Sequence, residues 1–461
     1  MQKSRSGGFI KRLLCIVLPA AVLIAGVTLG VNLLTSCGKS TPVVKKSEGF
    51  AEKLSTATPY DGLKLIRDSA PTLSPEDKKI ADEGTRKYYD AMIASAYAKV
   101  RAGDTDAATA EITRLEEFFK DDARVKNLRF SVTELVPYDG VVEHIFFHPL
   151  IVYPERAFPK SGRKTGQDLY MVTVYEFKRV IEQLYKNGYM LIDINTMADV
   201  THAADGSVAK LTPRPLKFPK GKKPLILSVD DINYYEYMHK DGENFKMILD
   251  EDGNIACYSK DMNGKDVISR DNEIVTIIDS FVEKHPDFSY NNAKGLLGVT
   301  GYEGVLGWRV NDRPERVPNY NEEAAGLKRV VARLKETGWT FASHSQGHRN
   351  TPGATLDTIR EDTDRWDEIV RPFVGDTDVY IYPFGAEVPT KDAKFVDFQK
   401  HGFAIFCTVQ QEPLLKLRDT FMIQSRRNID GVAFNGHWLD KMMDVDSVID
   451  PVRPNVTRTR K

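Results

Sequence analysis

Short apolar runs alternate with amphipathic segments from Val141 onward. The apolar runs are typical of strands: "VVEHIFFHPLIVY", "YMLIDI", "KPLILSVDD", "AKGLLGVTG", "WTFASHSQGH", "DVYIYPFG" and "FAIFCTV". Between them, segments such as "TVYEFKRVIEQLYKNG" and "NEEAAGLKRVVARLKETG" place apolar residues three and four positions apart, which predicts helices. This alternation predicts an α/β fold with a parallel sheet, open or closed into a barrel, that helices cover.

One segment, over about 238–270, interrupts the alternation. It is rich in Gly, Asn and Asp ("LDEDGNIACYSKDMNGKD"), which predicts an inserted hairpin. In parallel α/β folds the ligand site lies at the carboxyl ends of the strands, and we expect the insertion near that face.

The region over 56–130 has a different, purely helical pattern. Two or three helices are predicted, with Ser74 and Asp104 as caps, and "AYAKVRAGDTDAATAEITRLEEFF" resembles a single tetratricopeptide hairpin. Because the region lacks a cluster of His, Asp or Cys, we expect it to act as a spacer or to dock a protein partner. A polar linker is predicted over 38–55, and a polar tail over 441–461.

The amino terminus, over 1–37, predicts attachment to a membrane. Basic residues precede an uncharged stretch from Leu13 to Ser36 that is long enough to cross a bilayer. "LTSC", ending at Cys37, also resembles a bacterial lipobox, so an uncleaved anchor and a lipidated Cys37 both stay open. Either arrangement places the rest of the chain on the outer face of the cell membrane.

Charge and cysteine content exclude two classes of function. The 461 residues include 64 Lys and Arg against 65 Asp and Glu, so no net field favours nucleic acid. The four cysteines are too scattered for a disulfide framework or a CxxC metal site.

Candidate chemistry lies where three predicted strands end. Asp230 and Asp231 follow "LILSV", His344 and His348 follow "FAS", and a Pro-aromatic-Gly turn follows "YIY". One carboxylate with two imidazoles is a ligand set for a divalent ion, and it leaves positions open for water and substrate. A second carboxylate beside the ion can act as a base. Zinc is the expected ion, and cobalt, nickel and manganese also suit these ligands.

The motifs "SVDD", "SHSQGH" and "YPFG", in this order, resemble those of the polysaccharide deacetylase family, the NodB-homology or family-four carbohydrate esterases. The resemblance implies an irregular, incomplete (β/α) barrel over 141–440. It implies Asp230 as the catalytic base, Ser345 as a residue that steadies its loop, and three metal ligands: Asp231, His344 and His348. We expect four residues to bind substrate: Trp308, Tyr382, Pro383 and Phe384.

Two positions depart from the family pattern. The family usually has an Arg shortly before the Pro-aromatic-Gly turn, where this chain has Ile381, so Arg426 or Arg427 is expected to supply the guanidinium. The family's final Leu-x-His, which supplies the general acid, has no clean match. His148 and His437 are the candidates, and His148 is favoured because it follows a strand.

The resemblance implies a hydrolase that acts on carbon–nitrogen bonds other than peptide bonds. It would remove N-acetyl groups from an extracellular polysaccharide that contains N-acetylglucosamine, either peptidoglycan or an exported glycan, with Tyr302 and Trp308 as an aromatic floor for the sugar rings. Two alternatives stay open: an O-acetyl carbohydrate esterase, and a non-catalytic scaffold that binds the cell wall through a degenerate site.

Overall fold

A computed structural model describes residues 49–159 and 166–454 of the chain. The anchor or lipoprotein signal predicted over 1–37, with Cys37, lies outside these residues, as does most of the linker predicted over 38–55. Phe50–Thr56 form a helix, so the last residues of that linker are helical. Among the residues described, no helix is both long and apolar enough to cross a membrane.

Helices flank the strands along most of the chain. In chain order they are α1 (Phe50–Thr56), α2 (Pro59–Ser69), α3 (Pro75–Arg101), α4 (Thr105–Phe119), α5 (Ala123–Val132), α6 (Pro154–Ala157), α7 (Gln167–Tyr170), α8 (Val174–Lys186), α9 (Glu236–Asp241), α10 (Ile274–Lys284), α11 (Tyr320–Thr337), α12 (Leu356–Ile369), α13 (Arg371–Val374), α14 (Ala393–Lys400), α15 (Gly431–Asn435) and α16 (Val445–Val448).

Over residues 49–159 and 166–454 the strands are short and belong to four separate sheets. They are β1 (Leu135–Pro137), β2 (Glu143–Phe147), β3 (Tyr189–Leu191), β4 (Ala198–His202), β5 (Val208–Pro213), β6 (Lys217–Pro219), β7 (Lys223–Val229), β8 (Lys246–Leu249), β9 (Ile255–Lys260), β10 (Asp266–Ser269), β11 (Gly295–Val299), β12 (Trp339–Ser343), β13 (Val379–Ile381), β14 (Ile405–Val409), β15 (Leu415–Arg418) and β16 (Phe421–Asn428).

Seven parallel strands form the barrel. Around the ring the order is β7, β11, β12, β13, β14, β16 and β2, and β2 pairs with β7 again. The expected incomplete barrel is therefore corrected to an irregular but closed one, since Leu296 and Leu297 of β11 pair with Ser228 and Val229 of β7. Two further strands join this sheet outside the ring: β3 pairs with the start of β7, and β15 runs antiparallel to β16.

Alternation along β7 explains how the barrel directs side chains to its site. Leu225, Leu227 and Val229 belong to the core between strands and helices, whereas Ile226 belongs to the core inside the barrel. Since successive side chains of a strand point to opposite faces, the residue that follows Val229 points into the barrel. That residue is Asp230.

The helices of the predicted 56–130 region form a core of their own and also contact the barrel. Ser74 and Asp104 cap α3 and α4, as the sequence predicts. The Asn127 side chain of α5 is buried; its amide donates to the carbonyls of Pro286 (2.8 Å) and Ser289, shortly before β11. The helices are therefore fastened to the amino-terminal end of the barrel.

Two segments differ from their predicted structure. The insertion over 238–270 contains a three-stranded antiparallel sheet, β8, β9 and β10, rather than a single hairpin. The first part of the predicted polar tail over 441–461 belongs to the main core, because Met442, Met443 and Val445 are buried there. The sequence predicted a polar tail because aspartates flank these apolar side chains on both sides.

Candidate metal centre and active site

The two aspartates at the end of β7 both reach the site because the chain turns between them. The Asp230 backbone N–H donates to the Phe147 carbonyl (2.8 Å), which continues the pairing of β7 with β2. Asp231 then adopts a left-handed backbone conformation with φ of 54°. This conformation, uncommon for a residue other than Gly, aims two neighbouring carboxylates at the same end of the barrel.

Asp231 lies beside two imidazoles, those of His344 and His348. One ligand atom from each of the three residues lies within 4.8 Å of the others, and His348 Nε2 is 3.5 Å from Asp231 Oδ2. A tetrahedral ion with bonds of about 2.1 Å keeps its donors about 3.4 Å apart, so small side-chain rotations bring all three onto one ion. The donor set and its spacing fit a divalent metal.

The tautomer of His344 follows from its backbone contact. His344 Nδ1 lies 3.0 Å from the Ile381 carbonyl oxygen at the end of β13. A carbonyl can only accept, so Nδ1 carries the proton and Nε2 is left as a ligand atom. Burial lowers the pKa of His348, although the Asp231 carboxylate opposes this shift, and the neutral form is the one that binds metal.

The loop that carries the histidines is held by Asp362 of α12, a residue that sequence reasoning missed. Ser345 Oγ and the Gln346 N–H donate to Asp362 Oδ2 (both 2.7 Å), and the Gly347 N–H donates to Oδ1 (2.8 Å). Ser345 and His348 both have positive φ. Ser345 therefore steadies this loop as expected, by fastening it to a helix 17 residues away in sequence.

Arg426 supplies the guanidinium that the Ile381 position lacks. It forms two parallel hydrogen bonds with Asp230, Nη1 to Oδ1 (2.6 Å) and Nη2 to Oδ2 (2.9 Å), and it is fully buried. Burial alone would raise the pKa of Asp230, but Arg426 and then His344 hold the pKa of this carboxyl well below its usual range. Arg427, the other candidate, pairs with Glu143 instead (3.2 Å).

Of the two candidate acids, only His148 lies at this end of the barrel. It follows β2 directly, and its Nδ1 donates to the Tyr170 carbonyl (3.1 Å), which leaves Nε2 for proton transfer. A protonated His148 interacts favourably with the carboxylates of Asp230 and Asp430. His437 instead lines a depression with Asn187 and Lys223, at the amino-terminal start of β7 and away from the other candidate site residues.

The Pro-aromatic-Gly turn presents one side chain to the site. Phe384 has φ of 59°, is 68% exposed, and places its ring 4.4 Å from that of His348. Tyr382 is buried and packs against Phe406 in the core outside the strands, and Pro383 is also buried. The predicted substrate contact is therefore corrected for Tyr382 and Pro383, because alternation along the strand turns Tyr382 away from the barrel interior.

Trp308 does not form the predicted aromatic floor. Its indole N–H donates to the Met247 carbonyl of β8 (2.9 Å), and its ring lies against Gly326 of α11, where a Cβ would clash. Lys246 covers the ring at 4.2 Å. The side chain fastens the inserted sheet to a helix, so its assignment as a substrate residue is corrected.

Three stacked tyrosines border the candidate metal ligands, and the sequence indicated only one of them, Tyr302. Tyr235 stacks between Tyr302 (ring centroids 4.7 Å apart) and Tyr237 (5.9 Å). The two outer rings are 39% and 45% exposed. The string "NYYEYM" after the aspartates was the available signal for the other two, because it places aromatic residues directly beyond the site strand.

No family model matches the sequence, and no curated protein sequence matches it. Solved structures give weak likenesses. A Bacillus anthracis protein provisionally described as a polysaccharide deacetylase aligns over 66% of this chain and 69% of its own, with 13% identity and a TM-score of 0.37. The Streptococcus pyogenes deacetylase PplD in complex with acetate aligns over 67% of this chain and 100% of its own, with 14% identity and a TM-score of 0.35.

IcaB from Ammonifex degensii aligns over 66% of this chain and 95% of its own, with 13% identity and a TM-score of 0.33. Two of these three neighbours are described as deacetylases. These TM-scores are too low to indicate a function for this chain.

Proposed function

We propose that this protein is a metal-dependent hydrolase that removes N-acetyl groups from a polysaccharide containing N-acetylglucosamine. One observation carries the proposal: Asp231, His344 and His348 converge as ligands while Asp230, beside them, is held by Arg426. Three ligands leave open positions for water and substrate. The second carboxylate, that of Asp230, is not needed as a ligand and is then available to accept a proton.

The ligand set also indicates which ion it would hold. Two imidazoles and one carboxylate suit zinc best, and cobalt, nickel and manganese are compatible with the same donors. When bound, the ion would supply Lewis acidity toward the acetyl carbonyl and lower the pKa of a water molecule.

The remaining chemistry belongs to residues of the chain. Asp230 accepts the proton of the attacking water, while Arg426 fixes the direction of the carboxylate and keeps it ionised. His148, directly after the neighbouring strand β2, donates a proton from Nε2 to the nitrogen as the carbon–nitrogen bond breaks. Water is consumed, and the products are acetate and a free amine on the sugar.

The substrate class rests on the sequence of the amino terminus together with the exposed tyrosines at the site. An anchor or lipid at residues 1–37 would tether the enzyme to the outer face of the membrane, where peptidoglycan or an exported glycan is the first polysaccharide within reach. The exposed outer faces of Tyr302 and Tyr237 would stack against sugar rings. The helices over 56–130 remain a candidate surface for a protein partner.

Two observations favour this reaction over its alternatives. Arg426 pairs with Asp230, which Ile381 cannot do. The site therefore keeps a guanidinium that a non-catalytic, wall-binding scaffold would not need. His148 supplies an acid, which an amine leaving group needs more than the alcohol released from an O-acetyl ester. Both observations support N-deacetylation.

Acetate release from defined substrates tests the proposal. Purified protein loaded with zinc is incubated with N-acetylglucosamine oligosaccharides, with peptidoglycan and with an O-acetylated glycan, before and after removal of the metal by a chelator. We expect acetate from an N-acetyl substrate, loss of activity without the ion, and recovery when zinc is restored. Acetate from only the O-acetylated glycan would make the protein an esterase. Absence of both bound metal and acetate release would leave the scaffold.

A further inference from the structure

The hydroxyl of Tyr235 lies between a proposed metal ligand and the end of the next barrel strand. Tyr235 Oη is 2.6 Å from Asp231 Oδ1 and 2.6 Å from Thr300 Oγ1. The tyrosine is buried, and Thr300 is fully buried directly after β11. Tyr235 can therefore fix the orientation of the Asp231 carboxylate from a position that is shielded from solvent.

Hydrogen-bonding capacity fixes the direction of this chain of bonds. The Asp231 carboxylate can only accept, so Tyr235 donates its single phenolic proton to Oδ1. The Thr300 hydroxyl then donates to the oxygen of Tyr235. The Tyr235 hydroxyl therefore donates to Asp231 Oδ1 and accepts from the Thr300 hydroxyl, so Oδ1 of the carboxylate already has a hydrogen-bond partner.

The structure holds both ends of this chain rigidly. The Asn233 side chain donates to the Thr300 carbonyl (2.9 Å) and accepts from its N–H (3.3 Å), which joins the turn after β7 to the end of β11. The ring of Tyr235 is stacked between Tyr302 and Tyr237, with interplanar angles of 22° and 24°. The phenolic oxygen therefore has little freedom to move away from Asp231.

We infer that Tyr235 is a positioning residue for the metal centre: it binds Oδ1 of Asp231 and so presents Oδ2 to the ion. Oδ2 is the oxygen that lies 3.5 Å from His348 Nε2. A donor to the second oxygen of a ligating carboxylate fixes its orientation, and loss of such a partner typically costs about 10 to 100-fold in metal affinity. The inference rests on the proposed function, since it assumes that Asp231 binds metal.

A matched pair of substitutions isolates the phenolic oxygen. Tyr235→Phe removes that atom and keeps the stacked ring. Tyr234→Phe is the control, because Tyr234 is the adjacent residue, is fully buried, and donates to Glu273 (3.1 Å) away from the metal ligands. Thr300→Val is a second test variant, which keeps the side-chain shape while removing the donor to Tyr235.

Two readouts report on the centre apart from turnover: the dissociation constant for zinc, by competition with a chromophoric chelator, and the visible absorption spectrum of the cobalt-loaded protein. We expect Tyr235→Phe to weaken zinc binding about 10 to 100-fold and to alter the cobalt spectrum. Thr300→Val should shift both in the same direction by less, and Tyr234→Phe should match the wild type.

Unchanged zinc affinity and cobalt spectrum in Tyr235→Phe would overturn the inference, as would an equal loss in the Tyr234→Phe control. If Tyr235→Phe fails to fold, Thr300→Val decides the matter, and wild-type affinity and spectrum in that variant count against the inference. If the wild-type protein releases acetate and binds zinc while Tyr235→Phe binds it equally well, only the role of Tyr235 fails. If the wild-type protein binds no zinc, the proposed function fails together with the inference.

Discussion

At the end of β7, Asp230 faces a buried guanidinium and Asp231 faces two imidazoles, and these surroundings give two identical side chains different properties. Alternation along the strand turns Asp230 into the barrel, where β16 delivers Arg426. The left-handed turn at Asp231 then aims the second carboxylate at the histidine loop. A single strand end therefore supplies both a candidate base and a candidate ligand.

Arg426 is expected to be essential for acetate release, whereas its neighbour Arg427 is not. Arg426→Lys keeps the charge but loses the two parallel hydrogen bonds to Asp230, so we expect kcat for acetate release to fall by about 10 to 100-fold. Arg427→Lys is the control, because Arg427 pairs with Glu143 outside the site, and its kcat should stay close to that of the wild type. Equal effects of the two substitutions would contradict the role given to Arg426.

Substitution of Phe384 should affect substrate binding, whereas substitution of Trp308 should affect stability. The exposed ring of Phe384 borders the site, so Phe384→Ala should raise KM for an oligosaccharide by about 2 to 10-fold, which corresponds to one lost ring contact, and leave the free energy of unfolding nearly unchanged. Trp308→Ala should instead lower the free energy of unfolding by about 3 kcal/mol and leave KM unchanged in the folded protein. A large rise in KM for Trp308→Ala alone would restore the predicted aromatic floor.

The sequence indicates the ligand residues but not the contacts that orient them. Asp230, Asp231, His344 and His348 are recognisable because they follow apolar runs that end at one face. Tyr235 and Asp362 are not, since their importance depends on a rotamer and on a helix from elsewhere in the chain. Trp308 is the opposite case, a residue that the sequence wrongly assigned to the site. An aromatic residue in a Gly-rich segment looks the same in sequence whether it faces a ligand or a neighbouring helix.

At the scale of elements, the loop from His344 to His348 depends on α12 for its shape. Ser345 Oγ, the Gln346 N–H and the Gly347 N–H donate to the two carboxylate oxygens of Asp362. Asp362→Asn leaves only one acceptor oxygen, so at least one of these three donors loses its partner. We expect zinc affinity to fall by about tenfold and the free energy of unfolding to fall by about 1 to 3 kcal/mol. Asp364→Asn, on the exposed face of the same helix, should leave zinc affinity unchanged; a zinc affinity for Asp362→Asn equal to that of the wild type would contradict the role given to Asp362.

The contact between α12 and the end of α14 should make stability depend on pH. Hydrogen bonding of His401 Nδ1 to Asp367 (2.8 Å) raises the pKa of this imidazole despite partial burial, and Asp364 and Asp397 lie near Nε2. Because the pKa is raised in the folded state, the stabilisation is complete below the unfolded value of about 6.5 and is lost as pH rises through the folded value.

Urea unfolding of the wild type and of His401→Gln measures this effect. The wild type should exceed the variant in free energy of unfolding by more at about pH 5.5 than at about pH 8.5, since only the protonated imidazole attracts the three carboxylates. A difference that stays constant or grows with pH would rule out this source of stability.

The elements themselves were predictable where burial leaves a strong pattern. Strands of a parallel barrel are covered on both faces and read as continuous apolar runs, which is why β7, β11, β12 and β14 stand out in the sequence. Ring closure was not predictable, because it depends on only two residue pairs between β7 and β11. The hairpin of β4 and β5 also escaped notice, since its strands are largely polar and exposed.

At the scale of the whole molecule, the amino-terminal helices contribute to stability at the end of the barrel that lies away from the site. Asn127→Ala removes the donor to the Pro286 and Ser289 carbonyls and should lower the free energy of unfolding by about 2 kcal/mol, with kcat unchanged. The control Lys126→Ala, at an exposed neighbouring position, should stay within about 0.5 kcal/mol of the wild type. A loss of kcat in folded Asn127→Ala protein would show that these helices influence catalysis.

If Asp231 binds a catalytic ion while Asp230 accepts a proton, bound metal and acetate release should respond differently to the two Asp-to-Asn substitutions. Asp231→Asn weakens a ligand, so the protein should lose most of its zinc and recover part of its activity when zinc is added in excess. Asp230→Asn leaves the ligands intact, so the protein should keep one zinc per chain and lose turnover by about 10² to 10⁴-fold. Equal loss of zinc from both variants, or full acetate release by Asp230→Asn, would contradict the account.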